Sequence, residues 1–431
     1  IKKTASVPVT VRVLSSIAIT TAPTKTAYKY GEIFNPSGMV VTAHYTDGQS
    51  RTVTGYTFSP DTALGMSNTT ITISYTEGDV TKTTTQAITV AKVLDRIAVT
   101  TPPSRTSYFS GESFSTSGMV VTAYYTDDSS AAVSGYTYSP TGALAAGNKT
   151  ITISYSEGGV TKTTTQAITV TTISTTLNSN SWATIKAVSD AGQGDNYWDV
   201  GDTKTITING TVQGFTFSNL SIAVFILGFN HNSSREGSNR IHFQIGKISN
   251  KLVGLCDNSY GSYVSSGFCM NTSRTNSGGW NGSYMRKTVL GNSGTPSSPP
   301  ANSLLAALPA DLRAVMKPIT KYSDNTGGGN NTASYVTATT DYLTLLAEFE
   351  YHGSRSYANS AEQNYQKQYD YYKAGNSKVH YRHDNTGSVV YAWTRSAYYS
   401  NGNRFCRVYT DGTPGNSHAD NSWALAPGFA A

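Results

Sequence analysis

Seven histidines, three cysteines and a scatter of carboxylates are the raw material for chemistry in this sequence. His380-Tyr381-Arg382-His383 holds the one close histidine pair. In an extended segment, positions three apart face opposite sides, so joint metal ligation would need a turn there, and a solvated pair is the expectation. Glu348 and Glu350 lie two apart on an expected strand over 343–351, with both carboxyls on one face. With no identifiable cleft, such a pair does not make a glycosidase. Cys256, Cys269 and Cys406 cannot all pair within the chain and lack CxxC spacing. HExxH, GxSxG and GxxxxGK[ST] are missing, and Gly327-Gly328-Gly329 sits in an Asn-rich loop with no lysine after it. The chain is therefore read as a non-enzyme, with no catalytic residue, no metal site and no cofactor expected.

What must position any functional side chain is a Thr-, Ser-, Gly- and Asn-rich polypeptide of 431 residues with 29 Tyr and only 13% charged residues. That profile suits exposed β-structure spread over two to four domains. A net charge of +6 without a Lys/Arg run gives no electrostatic footprint for nucleic acid. The longest apolar stretch, 222–229, is far below the roughly 18 residues that span a bilayer, so no membrane insertion is expected. The chain opens on Ile1 with no signal-like apolar run behind it, and a segment upstream is expected.

Residues 13–90 recur at 93–170 without a gap; ITISYTEGDVTKTTTQAITV returns as ITISYSEGGVTKTTTQAITV. Val41, Ala43 and Tyr45 alternate with Val40, Thr42 and His44 as a half-buried strand requires. The two copies act as a natural substitution series. Lys29/Phe109, His44/Tyr124, Gln49/Ser129 and Arg51/Ala131 differ and are expected to face solvent. Gly31/Gly111, Phe34/Phe114, Tyr45/Tyr125 and Tyr75/Tyr155 are kept, as turn glycines and core rings should be. Asp47-Gly48 and Asp127-Asp128 mark hairpin reversals. Short strands at regular spacing over eighty residues give a β-sandwich. With Leu14 to Ile19 and the Tyr28-x-x-Gly-Glu-x-Phe34 segment, each copy resembles the bacterial immunoglobulin-like domains of surface and phage proteins. The division expected is a connector over 1–12, immunoglobulin-like domains over 13–91 and 92–171, a linker over 172–176 and a C-terminal domain over 177–431. No polar constellation is shared by the copies, so they are read as spacers.

In the C-terminal domain, Asn178-Ser179-Asn180 before Trp182, Ile185 and Val188 predicts a capped helix ending at Gly192. Strands are expected over 203–208, turned by Asn209-Gly210, and over 221–229. A second helix should start near Pro309, and a third should run over 361–373 with Tyr365, Tyr369 and Tyr372 on a packing face.

The segments Trp182 to Ile185, Gly228-Phe229-Asn230-His231, Leu304 to Pro309, Trp393-Thr394-Arg395-Ser396 and Ala426 to Phe429 resemble a family of uncharacterised domains in Gram-positive bacteria and their prophages. The Trp-x-Arg-Ser run, Phe405, Gly412 and Gly428-Phe429 also resemble the C-type-lectin-like fold of formylglycine-generating enzymes and of the variable proteins of diversity-generating retroelements. The fold class expected is thus mostly β with an α+β C-terminal domain: two immunoglobulin-like β-sandwiches plus a C-type-lectin-like domain. The resemblance implies that Trp393, Arg395, Ser396, Phe405, Val408, Gly412 and Phe429 hold a scaffold. The residues between them, Tyr398, Tyr399, Asn401, Asn403, Arg404, Arg407, Tyr409, Asn416, His418, Asp420, Asn421 and Trp423, would be displayed as a ligand-binding set. Tyr and Asn are favoured in antibody loops for contact area and adaptable hydrogen bonds. Asn, Tyr, Ser and Asp are also what adenine-targeted mutagenesis of Asn codons yields. Formylglycine-generating enzymes need two nearby cysteines, whereas here Cys256 and Cys269 are thirteen apart and Cys406 is distant, so this sequence departs from their pattern.

The expectation is a receptor-binding or adhesion protein on a phage or prophage virion, or at a cell surface, that engages a bacterial surface protein or glycan. Its N-terminal side would join other virion or surface components. Many weak sites gain from multivalency, which favours a homo-oligomer with a trimer as first guess. A decoration protein of a particle is the second reading, and a metal-dependent enzyme of the formylglycine-generating fold the third.

Overall fold

A computed structural model describes residues 11–431, and the expected connector over 1–12 lies, up to residue 10, outside the described residues. The chain is mostly β and forms two compact units divided after Thr172. Each copy of the repeat is a sandwich built twice to one plan. In the first, Val40–Tyr45 is flanked by Leu14–Thr21 and Ser50–Val53, while Thr70–Glu77 is flanked by Thr57–Ser59 and Val80–Ala87. Ala27–Lys29 pairs in parallel with Thr89–Ala91 and closes one edge. Alternation does the work the sequence implies. Val41, Ala43, Ile71 and Ile73 are fully buried between the sheets, and their neighbours Thr42 and Thr72 are only partly covered. Phe34 packs edge-on to Phe58 at 5.2 Å, and Phe114 does so to Tyr138 at 5.4 Å. No cysteine contributes to these cores, and apolar burial stabilises them by about 1.5–3 kcal/mol per large side chain.

Gly48 and Asp128 both take positive φ, 80° and 63°, at the hairpin reversals. One expectation fails. Phe109, placed in solvent by analogy with Lys29, is 7% exposed. An aromatic ring at that position gains by covering apolar surface that a lysine leaves to water.

In the second unit, the helix Trp182–Asp190 is capped by Ser181, whose Oγ accepts from Thr184 N at 3.1 Å. The cap thus sits one residue beyond the expected Asn triplet; Asn180 instead turns inward to Ser174. Trp182 packs edge-on to Phe243 and Phe429, at 5.6 and 5.9 Å. A seven-stranded sheet runs Thr203–Val212, Phe215–Phe229, Ile241–Ile248, Lys251–Gly254, His380–Arg382, Val389–Val390, with Gly428–Ala430 beside Ile241–Ile248. A two-stranded ribbon, Ile319–Asp324 with Val336–Asp341, and a three-stranded sheet, Ala392–Ala397, Arg404–Val408 and Pro414–His418, complete the unit.

Several local expectations are corrected. Asn209-Gly210 is an irregularity within a longer strand, and the chain reverses at Gln213-Gly214. The second helix is a single turn, Ala310–Arg313, after Pro309, although Leu312, Val315 and Met316 do face inward. The third helix is broken into a 3-10 turn, Ser360–Asn364, and the short Asp370–Lys373. Between them Gln366 and Gln368 donate to the carbonyls of Tyr322 and Tyr351, and Tyr369 N donates to Glu350 O rather than to the carbonyl four residues back. Glu348–His352 is a helix where a strand was expected, because Glu350 reaches back to Ala347 N and Gly353 stops it at φ 68°.

Replacing Ile73 by Ala should destabilise the first sandwich by about 2–5 kcal/mol, read from urea unfolding of the full chain, whereas Gln49→Ala should change it by less than about 0.5 kcal/mol.

Candidate functional site

The three-stranded sheet starts from Ala392–Ala397, whose side chains are all buried. Arg395 donates to Glu350 through both terminal nitrogens and to Ser323 Oγ at 2.8 Å. Trp393 donates from Nε1 to Phe268 O at 3.1 Å, and Ser396 Oγ donates to Glu362 at 2.6 Å. Phe405, Val408 and Phe429 are buried as well, and Gly412 turns the last hairpin at φ 84°. The residues expected as scaffold are thus interior or in a tight turn.

Of the twelve residues expected as displayed, Arg404, Arg407, Tyr409, Asn416, His418, Asn421 and Trp423 line one concavity of about 340 Å³, together with Gly261, Tyr263 and Ser417. Arg404 lies directly across the ladder from His418 and donates to Asn416 Oδ1 at 2.8 Å and towards His418 Nε2 at 3.4 Å. The Arg407 guanidinium lies 3.8 Å from the Tyr391 ring, 4.8 Å from Tyr409 and 4.9 Å from Trp423. Tyr409 can lie there because residue 415 is glycine: a Cβ would fall 2.1 Å from its ring. Burial lowers Arg407 below its ordinary range, and burial together with Arg404 and Arg274 lowers His418.

The other five lie apart from this concavity. Tyr398 packs edge-on to Tyr357 and Tyr399, at 5.5 and 5.6 Å, in a separate aromatic patch. Asn401 closes a turn by accepting Asn403 N at 2.9 Å, and Asn403 is exposed. Asp420 faces Arg274 at 3.4 Å. Within the concavity one correction is needed: Asn421 is 5% exposed and accepts from Ser417 Oγ, so it supports the wall rather than presenting a free amide. Tyr263, 59% exposed, went unpredicted; its Tyr-Gly-Ser-Tyr-Val-Ser-Ser setting carries the same composition as the tail and could have marked it.

A larger cavity of about 550 Å³ opens beside Phe229-Asn230-His231-Asn232, with Gln366, Gln368 and Lys373 also on its wall. Asn230 and Asn232 take left-handed φ of 48° and 47°, which swings His231 onto the Tyr369 ring at 3.8 Å. Behind it His231, Glu236 and Glu350 bring ligand-type atoms within 4.8 Å of one another. Lys321, wholly buried, fills the role of a cation there: its ammonium donates to Glu236 at 2.7 Å, to Glu350 at 2.9 Å and to Tyr369 OH at 2.9 Å. With Arg395 it balances two carboxylates, so the trio is an ion-pair core and not a built metal site. Despite burial, Arg395 and Lys321 hold Glu350 well below the usual carboxylate range, while burial pushes Glu236 up to about 7.

The remaining chemical candidates are structural. His380 and His383 are buried, not solvated: His380 faces Tyr351, and His383 Nδ1 accepts from Cys256 N at 3.2 Å. Glu348 and Glu350 part company, for Glu348 accepts the backbone N–H groups of Ser356, Tyr357 and Ala358 and ties down that loop. Cys256, Cys269 and Cys406 are free and buried, and burial pushes the first two thiols up to about 12.

Residues 263–429 match a family described as a domain of unknown function (DUF6273), and residues 101–171 match the Bacterial Ig-like domain (group 3) family. The first match contains the three-stranded sheet, whereas Trp182 to Ile185 and Gly228 to His231 lie outside it. The second, with the repeat, makes the N-terminal modules immunoglobulin-like. No curated protein matches the chain. Among the solved structures that are similar, two share 12% identity with this chain. Titin domains Z1Z2 in complex with telethonin cover 38% of this chain and 100% of their own at a TM-score of 0.14. A chimeric titin Z1Z2 carrying an exogenous peptide from decorin covers 37% and 98% at 0.13.

Histidines lowered by burial set the acid response of the C-terminal unit. Burial lowers His231 to about 3, His352 and His380 to about 4, and His242 well below its ordinary value. Their stabilising contribution is present above the unfolded value near 6.5 and is lost as pH falls towards 4. Glu236 and Glu362, both raised by burial to about 7, act oppositely, stabilising most below the ordinary carboxylate range. His383 and His418 are lowered by burial as well and Glu348 is raised, so lowered histidines outnumber raised carboxylates six to three and the urea midpoint of this unit should fall between pH 6.5 and pH 4.5.

Proposed function

We propose that the chain is a recognition protein, a receptor-binding or adhesion component of a phage or prophage particle or of a cell surface. Its immunoglobulin-like modules carry a C-type-lectin-like domain that engages a bacterial surface protein or glycan. The observation that carries this reading is the concavity itself: seven of the twelve tail residues picked out as a display set meet around one space of about 340 Å³. Four of them, Arg404, Arg407, Asn416 and His418, stand on a sheet whose first strand is buried and pinned by Arg395, Trp393 and Ser396. A binding surface needs that combination of rigid frame and outward polar and aromatic groups. The three cysteines, each buried and free, lend no support to oxidase chemistry of the formylglycine-generating kind. Retroelement diversification of the tail and a trimeric assembly belong to the same proposal, the first because the display set falls between scaffold positions, the second because a shallow site gains from multivalency.

The test is binding of the purified full chain to a panel of Gram-positive cells. Tyr409→Ala/Trp423→Ala should reduce bound protein by about tenfold or more, as loss of aromatic anchors does. Asn416→Arg, which fills the concavity without removing packing, should do the same, while Arg51→Ala in the first module should leave binding unchanged. Unaltered binding by both site variants would remove the proposal.

A further inference from the structure

The residues that line the concavity on the terminal sheet carry donors without acceptors. Arg404 Nε, Arg407 Nε and Nη1, His418 Nδ1 and Trp423 Nε1 are all buried without a hydrogen-bond partner, and all belong to its lining residues. His418 counts as a donor because an arginine can only donate. Facing Arg404 Nη2 at 3.4 Å, the imidazole accepts on Nε2 and carries its proton on Nδ1. Against these five donors stands one unmatched acceptor in the neighbourhood, Asp420 Oδ1, on a residue that does not line the space and whose other oxygen faces Arg274. No lining residue is acidic, and among the described residues neither Arg404 nor Arg407 forms an ion pair.

A desolvated guanidinium with no counter-ion is costly unless something outside the chain supplies the charge. Arg407 is held flat among Tyr391, Tyr409 and Trp423, a setting that fixes the orientation of its planar fork. A planar fork of this kind matches a carboxylate or a phosphate. The exposed Tyr263 ring and the Asn416 amide border the same space and offer an aromatic face and a hydrogen-bonding edge for a hydroxylated ring. At about 340 Å³ the space suits one or two units of a polymer and not a long segment.

Resting on the recognition reading above, we infer that this concavity takes an acidic saccharide: a sugar unit whose carboxylate or phosphate sits on Arg404 and Arg407 and whose ring lies by Tyr263 and Trp423. The neutral amide and aromatic groups serve the ring; the positive charge of Arg404 and Arg407 serves the oxyanion. The carboxylate and phosphate versions share this chemistry and are separated by experiment.

The experiment is calorimetric titration of the full chain with four probes: oligogalacturonate, poly(glycerol phosphate), neutral dextran and poly-glutamate. One of the two acidic polyols should bind at least about tenfold more tightly than dextran, and raising salt from about 50 to about 500 mM should weaken it. Arg404→Met/Arg407→Met should abolish that preference, and Arg407→Lys, which keeps charge but not the fork, should recover only part of it. Equal binding of all probes, or an acidic preference that survives in the Arg404→Met/Arg407→Met protein, overturns the inference. Tighter binding of poly-glutamate than of either acidic polyol overturns it in favour of an acidic protein surface. If the Tyr409→Ala/Trp423→Ala protein loses cells while no acidic polyol binds, the ligand class is wrong and the recognition reading stands; if that protein and the Asn416→Arg protein both keep their cells, both fall together.

Discussion

The C-terminal unit is organised around one buried charge pairing, Arg395 with Glu350, neither of which is exposed to any extent. Arg395 lies on the first strand of the terminal sheet, Glu350 on the Glu348–His352 helix, and Ser323, the third member, on the Ile319–Asp324 strand. Lys321 continues the chain of charges to Glu236 behind the Asn230–Asn232 turn. Removing one member of such a network leaves an uncompensated buried charge, at a cost of about 3–5 kcal/mol. The network therefore fixes where the terminal sheet lies, and the sheet fixes where the tail side chains point.

Two kinds of arginine result from this arrangement, and the contrast carries the functional argument. Arg395 is wholly buried and fully paired, and its charge is raised further into its protonated form by Glu350 against the effect of burial. Arg407, twelve residues on, is stacked on rings without a carboxylate and has two of its nitrogens unmatched. Folding alone explains the first. The second departs from satisfied burial, as Arg240 also does elsewhere in the unit, but only at the concavity do several such groups come from residues that line one space.

The immunoglobulin-like modules were legible almost strand by strand, because the repeat supplies a second copy in which Val41, Ile71 and Ile73 return as Val121, Ile151 and Ile153 at the same buried positions. The scaffold positions Trp393, Arg395 and Phe405 were legible through their resemblance to a spaced motif. What the sequence hid is tertiary in origin. Tyr365, Tyr369 and Tyr372 have helical spacing, yet Tyr369 N is taken by the remote Glu350 carbonyl and the helix is interrupted. Glu348 and Glu350 have strand spacing, yet the Glu350 cap and Gly353 make a short helix. Tyr263 joins the concavity from more than a hundred residues upstream, a distance that local pattern cannot bridge. Asn421 looked like its displayed neighbours and is interior, since composition does not report which face of a turn a residue takes.

The central claim is that Arg404 and Arg407 are placed for a ligand and not for the fold. Thermal and urea unfolding of the full chain carrying Arg404→Met/Arg407→Met measures this directly. The account predicts a C-terminal unit within about 1 kcal/mol of the parent or more stable, because two unpaired cations are replaced by apolar side chains of similar length. A loss of more than about 3 kcal/mol, the signature of a broken buried network, would contradict it.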